Sequence, residues 1–548
     1  MRISKLILVF LIFASVSVQA KITKYPFLQP TVDMESSIGI MWETSGKNGG
    51  TVHYGINNLD KNAQAEFDGI NDLGNHRYAV TIKELNPGTV YKYKVISDGE
   101  ESSEHSFMTS SSSDDFSYRV LIVSDTHYPD DSAAAIEQGN HIMPFAASYS
   151  PHLILHCGDM AMGPNDFLAT DRQYHNGHSA IKTLLAGAIF APSGGNHDRK
   201  LIEPSGNSYD YSIFSRNYFL PLNGPMPMTP QHMWVREAIY SFSYGGVFYP
   251  AAGVGYVKLA DGDAGHIAKD LLGWMENGMA AALSSGKVRN IIPFGHVVDG
   301  YSSRKGGDVT GRSDGVIKFT NMFDKYNVAA LFSGHNHNFT RTFPIYHNGD
   351  LTSSIGVFSR DDTLLYNNGY SGTVYHGIAS PWYGKDSSPW EGYAINTGKS
   401  FWGLATIDVS NGGRKLLVKS VSLNYKDWSG EVVDQYTIER DISVIVGTDK
   451  SKAGRITFST TAFPHPFKNY VNIPIKLNQF NTPYTIKVFD ASGSIVKNIT
   501  NFYKAAHNRI IARWDGRDSI GKEVPVGTYF IWIGSNGKFY NLRKIVKI

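Results

Sequence analysis

Apolar residues fall into two kinds of pattern along this chain. From Lys24 to Met108 they alternate with polar ones in short runs, as in Ser37-Ile38-Gly39-Ile40-Met41-Trp42 and Tyr91-Lys92-Tyr93-Lys94-Val95. With turn residues recurring roughly every 8 to 12 positions, this predicts a β-sandwich with Trp42 in its core. The polar run Ser110-Ser111-Ser112-Ser113-Asp114-Asp115 reads as a linker, and beyond it the apolar runs become continuous. Tyr118 to Ser124 and His152 to Cys157 predict strands buried on both faces, with a helix between them over Ala133 to Ser148. Ile189-Phe190-Ala191-Pro192, Asn290-Ile291-Ile292-Pro293 and Val328 to Phe332 read as further strands, and Gly265 to Ser284 as a long helix. The alternation predicts a parallel or mixed sheet with helices on its faces, completed near residue 445 by strands over 372–378 and 403–409. Past Gly447 to Lys452, runs such as Thr485 to Phe489 and Gly527 to Ile533 predict a second, appended sandwich.

Length and charge narrow the function classes. A chain of 548 residues exceeds what one core supports, and 42% hydrophobic with 18% charged residues is ordinary globular composition. The net charge of +2, with no dense stripe of Lys and Arg, argues against a nucleic-acid partner. Residues 1–20 have the form of a signal peptide. Arg2 and Lys5 precede the apolar run Leu6 to Val18, which is too short to span a bilayer, and Val18-Gln19-Ala20 offers a cleavage site. Export follows, with no transmembrane segment in the mature chain. Cys157 is the single cysteine, so no intramolecular disulfide forms, and its apolar neighbours mark it as a buried strand residue.

The candidate chemistry lies in five loops, each directly after a predicted strand: Asp125-Thr126-His127, Gly158-Asp159-Met160, Gly195-Asn196-His197-Asp198, Gly295-His296 and Gly334-His335-Asn336-His337. Strand ends of an open α/β sheet are where ligands bind. His335 and His337, two apart on extended backbone, lie on one side and reach one ion or two adjacent ions. Mixed oxygen and imidazole donors suit borderline divalent metals, and a pair of ions needs a bridging carboxylate. Any one of these pieces is commonplace; five in order argue for one site. His152 and His156 read as structural histidines, Asp166, Asp171 and Arg172 as solvated charges, and Arg199 as an exposed loop arginine. Tyr209-Asp210-Tyr211, Tyr218-Phe219 and Trp382-Tyr383 read first as packing.

In order, spacing and residue type these motifs resemble the calcineurin-like metallophosphoesterases, and the preceding sandwich makes the chain similar to purple acid phosphatases over roughly residues 22–445. Leu85-Asn86-Pro87-Gly88-Thr89-Val90-Tyr91 also resembles the E–F corner of fibronectin type III domains. The resemblance implies an α+β fold, a four-layer αββα metallophosphoesterase sandwich flanked by two small all-β sandwich domains. It implies two metal ions, Fe, Mn or Zn. Asp125, His127 and His337 would hold the first, Asn196, His296 and His335 the second, with Asp159 bridging. His197 would protonate the leaving oxygen, and Asp198 would orient an imidazole. One departure stands out. Met162 occupies the position of the tyrosine that binds ferric iron in purple acid phosphatases, and His127 replaces the glycine of their first motif, so no tyrosinate colour is expected.

Residues 455–548 resemble type A carboxy-terminal sorting domains of type IX secretion in Bacteroidetes, through Phe463-Pro464-His465-Pro466-Phe467, Trp514-Asp515-Gly516-Arg517-Asp518, Val524 to Tyr529 and the basic end Leu542 to Lys547. That resemblance implies the type IX machinery as a partner and a secreted or cell-surface location; a carbohydrate-binding module is the competing reading. The expected divisions are a signal peptide over 1–20, a fibronectin type III-like domain over 22–110, the metallophosphoesterase domain over 117–445 and the sorting domain over 455–548. The function expected is a secreted dinuclear phosphatase attacking small phosphomonoesters with a metal-activated hydroxide. A phosphodiesterase or nucleotidase, and a surface adhesion protein with a structural metal site, stand as alternatives.

Overall fold

The computed structural model describes residues 21–163, 167–201, 209–225, 237–252, 265–296, 321–335, 337, 339–342, 363–366, 373–381, 394–397, 402–424, 427, 429–440, 457–458, 466–476, 485–490, 495–500, 502–505, 509–535 and 538–548. The expected signal peptide, Asp166 and Trp382-Tyr383 lie outside them.

Alternation in the first hundred residues produces two antiparallel sheets. One orders the strands Ile22–Gln29, Ile38–Thr44, His76–Ile82 and Glu66–Ile70; the other is built around Gly50–Gly55 and Val90–Ser97. Trp42 is fully buried between them and stacks on Tyr78. The Tyr91 hydroxyl accepts the Asn86 N–H at 2.9 Å, tying the strand back to the turn before it.

The next part holds two mixed sheets. In the seven-stranded one, Ile189–Pro192, Leu153–His156 and Tyr118–Val123 lie parallel, and Trp402–Ser410 continues antiparallel. The other runs through Ile239–Tyr244, Val247–Ala252, Phe294–Gly295, Ala330–Ser333 and Val374–Gly377, the last four mutually parallel. The Tyr118 hydroxyl, on the first sheet, bonds the Tyr249 hydroxyl of the second at 2.7 Å. Two helices matter below: α1 (Ser132–Ser148), capped by the Asp131 side chain on Ala133 N, and α2 (Phe167–Ala180). A third helix spans Gly265–Ser284, where helical periodicity places it.

The first sandwich and these two sheets share one hydrophobic core. The segment Ser110–Asp115 is correspondingly fastened rather than loose. Ser110 N donates to Met34 O, Ser112 N to Glu35, and Gly245 N to Ser110 Oγ at 2.8 Å. Residues 457–548 form two further four-stranded sheets around a separate core containing Trp514, Ile473, Val488 and Ile531. Among the described residues no helix is long and apolar enough to cross a membrane.

Candidate metal centre

Strand order brings the site together from two sheets. Tyr118–Val123, Leu153–His156 and Ile189–Pro192 deliver Asp125, Asp159 and Asn196; Phe294–Gly295 and Ala330–Ser333, in the second sheet, deliver His296, His335 and His337. Five residues of these loops, Asp125, His127, Asp159, His335 and His337, hold positive φ between 44° and 79°. Such backbone is costly for residues with a Cβ and persists where surrounding structure enforces it. The loops are also too crowded for side chains at their glycines. A Cβ on Gly195 would overlap the Asp159 carboxylate, and one on Gly334 would meet Ser124 Oγ.

Asp125 and Asp159 are both buried. The Asp125 oxygens accept the His335 N–H at 3.0–3.1 Å, and Oδ1 lies 3.3 Å from His337 Nε2. Asp159 Oδ1 accepts the His197 N–H at 2.8 Å, while Oδ2 lies 2.9 Å from His296 Nε2, 3.9 Å from His197 Nε2 and 4.0 Å from His127 Nε2. Three groups of ligand atoms, each within 4.8 Å of one another, could hold metal ions: Asp125, His127 and His337; His127, Asp159 and His197; and Asp159, His296 and His335. Asp159 belongs to two of them. Asn196 joins the last through Oδ1, 3.1 Å from His296 Nε2.

The donor chemistry fits cations. His127 Nδ1 faces the Ala161 carbonyl at 3.1 Å and therefore carries the proton, so its Nε2 presents a lone pair toward His337 Nε2 at 3.1 Å. Likewise His296 Nδ1 donates to the Cys157 carbonyl at 2.8 Å, turning its Nε2 toward two oxygen acceptors. Burial would lower the His296 imidazole, but Asp159 and Asp125 outweigh it and hold it up at about 9. A proton is thus drawn into the place where positive charge is wanted. Burial would raise Asp159, yet His296 keeps its carboxyl below the usual range.

Asp198 is used differently from the expectation. It is buried and does not orient an imidazole; its oxygens accept the N–H groups of Met160, Ala161 and Gly195 at 2.8–3.3 Å and the Tyr174 hydroxyl at 2.8 Å. It clamps the Asp159 loop to the Asn196 loop. The His197 imidazole instead gives Nδ1 to the Met162 carbonyl at 2.7 Å. Met162, where the iron-binding tyrosine would stand, is 42% exposed.

Asp171 corrects the solvated-charge reading. It is fully buried, accepting Asn217 Nδ2 at 2.6 Å and the Asp72 N–H at 2.7 Å. Arg172 is on the surface but paired with Asp130 at 2.8 Å. His156 is structural: Gly158 N donates to its Nδ1, its Nε2 meets Thr126 Oγ1, and burial lowers it to about 3. Tyr211 and Tyr218 are core residues, and Cys157 is a free, buried thiol. The Arg199 Nε reaches the Asn196 carbonyl at 3.2 Å. Sequence reasoning passed over Gln173, Tyr174 and Asn176 of α2, and Ser380, whose hydroxyl donates to the Asp125 carbonyl at 2.7 Å. No local motif marks them.

Residues 25–109 match the family described as purple acid phosphatase, N-terminal domain, and residues 118–339 the family described as calcineurin-like phosphoesterase. No curated protein matches the chain. Among solved structures, purple acid phosphatase PPD1 from yellow lupin (Lupinus luteus) seeds is 18% identical with a TM-score of 0.59, over 77% of this chain and 75% of that one. The structure of PhoD is 12% identical with a TM-score of 0.52, over 77% of this chain and 90% of that one. The chain thus carries a purple acid phosphatase N-terminal domain over residues 25–109 followed by a calcineurin-like phosphoesterase domain over residues 118–339, with a fold shared by the purple acid phosphatase from lupin.

Proposed function

We propose that the protein is a secreted, dinuclear metal-dependent phosphatase that hydrolyses phosphomonoesters. The observation that carries this reading is the set of inward-turned donors, in which two buried carboxylates and the Nε2 atoms of His127, His296 and His337 converge, with the Nδ1 atoms of His127 and His296 turned to the Ala161 and Cys157 carbonyls. Asp125, His127 and His337 would hold one ion, Asn196, His296 and His335 the other, and Asp159 both. Bound cations would neutralise phosphate oxygens and supply an activated water as nucleophile. The chain's own residues do the rest. Protonated His197, 38% exposed at its side chain and with its Nδ1–H held by the Met162 carbonyl, gives its Nε2 proton to the leaving oxygen.

Secretion rests on residues 1–20, and attachment or release through the type IX machinery on the motifs of residues 455–548; both are proposals from sequence. The separate core of the last two sheets is consistent with a unit that can be removed without disturbing the site. Turnover of phenyl phosphate set against its diphenyl counterpart tests the substrate class. Monoester turnover supports the reading, diester preference replaces it with a phosphodiesterase, and turnover of neither removes the enzyme.

A further inference from the structure

Met162 is gripped from two directions. Its N–H donates to Gln173 Oε1 at 3.0 Å, and its carbonyl accepts the proton on His197 Nδ1 at 2.7 Å. We propose that Gln173 is a positioning residue for His197: it pins Met162, and the pinned carbonyl holds the Nδ1–H, so that the proton the imidazolium gives up is the one on Nε2, turned toward the site. The proposal rests on reading His197 as the proton donor.

A partly exposed imidazole such as His197 needs such a hold. A protonated histidine can lose its proton from either nitrogen, and the hydrogen bond made by one nitrogen decides which proton is kept. Here the carbonyl at Nδ1 demands an N–H, which leaves Nε2 facing Asp159 Oδ2 at 3.9 Å. The His127 ring, edge-on with centroids 4.8 Å apart, flanks the imidazole but does not choose its tautomer. The carbonyl can serve only if its residue stays in place, and the exposed Met162 side chain indicates a residue held by its backbone.

Gln173 is placed to do this. It is buried on α2, and its neighbours along that helix are fastened in turn. Asp171 is bonded to Asn217 and to the Asp72 N–H of the first sandwich, Arg172 to Asp130, Tyr174 to Asp198, and Asn176 to the Asp130 carbonyl. One helix therefore holds the loops after Asp125, Asp159 and Asn196 while resting on the first sandwich.

The test compares Q173M, which keeps the shape but removes the acceptor, with Q173E, which keeps an acceptor oxygen, and with H197N; Q173A provides a second removal should Q173M not fold. Phenyl phosphates graded by the acidity of the leaving phenol read the proton donor. Q173M should lose about tenfold in kcat on unsubstituted phenyl phosphate and little on 4-nitrophenyl phosphate, with KM and metal content unchanged. Q173E should restore the rate. Nitrogen-15 spectra of histidine-labelled protein, metal-free and zinc-loaded, should show His197 as the Nδ1–H tautomer in the wild type and as a mixture in Q173M. A wild-type leaving-group trend and an unchanged tautomer in Q173M overturn the proposal. Should H197N itself leave the trend unchanged, the proton-donor reading fails, and the tautomer alone decides the role of Gln173.

Discussion

The Tyr174 hydroxyl donates to Asp198 Oδ1 at 2.8 Å, with both side chains buried, and through that contact α2 holds the clamp that joins two site loops. Replacing Tyr174 by Phe removes a hydrogen bond to a carboxylate and should cost about 1.5–3 kcal/mol in stability. D198N turns an N–H donor toward backbone N–H groups and should weaken metal binding about 10- to 100-fold, as loss of a ligand-supporting contact does. Unfolding curves and metal titration measure the two effects. Wild-type metal affinity in D198N would refute the clamp.

Metal removal exposes the cost of the donor arrangement. With imidazole nitrogens and two carboxylates turned inward, bound cations should stabilise the folded chain by about 4 kcal/mol at a thousandfold excess over Kd. Chelation should lower the unfolding temperature, and manganese or zinc should restore it. H337A should show a much smaller response to both treatments; an equal response would place the ions elsewhere.

The ion pair between Lys24 Nζ and Glu43 Oε1, at 2.7 Å and 0–1% exposed, predicts acid sensitivity. Burial raises the Glu43 carboxyl, but Lys24 and His175 outweigh it and hold it at about 2, against an ordinary 4.5. Its folded-state value is depressed, so its contribution is complete above 4.5 and fades as pH falls toward 2. E43Q should cost about 3–5 kcal/mol near neutrality by leaving Lys24 buried without its counter-charge, and the gap from wild type should shrink between pH 4.5 and 3. The double variant K24M/E43L should regain most of the loss. Thermal unfolding across that range is the measurement, and a gap independent of pH would contradict it.

Met162 in place of a tyrosine predicts an absorption spectrum. Protein loaded with iron should lack a strong visible tyrosinate band. Appearance of one would mean that another tyrosine reaches the metal.

Removal of residues 455–548 separates sorting from catalysis. Because the final sheets have their own core, the truncated chain should keep wild-type kcat on aryl phosphates. In the host, it should accumulate in the periplasm. Unaltered export would reject the sorting role.

The metal-seeking residues were legible because their chemistry is local. One carboxylate or imidazole after a buried strand is commonplace but five such loops in order are not, and glycines beside Asp159, Asn196 and His335 announce loops with no room for a side chain. Strands and long helices followed from apolar periodicity, as with Gly265–Ser284. Periodicity cannot say which strands share a sheet, so only the tertiary structure divides the donors between two sheets. Nor does it tell a polar residue facing water from one facing a polar partner. Asp171, Gln173 and Tyr174 look alike from sequence to any solvated helix face; they are buried because the partners that satisfy them come from the Asp72 turn, the Asp159 loop and Asp198. The same limit governed Asp198, whose neighbour in sequence is His197 but whose neighbours in space are the N–H groups of two loops. Sequence names the groups that chemistry requires, and folding alone decides which contacts hold them in place.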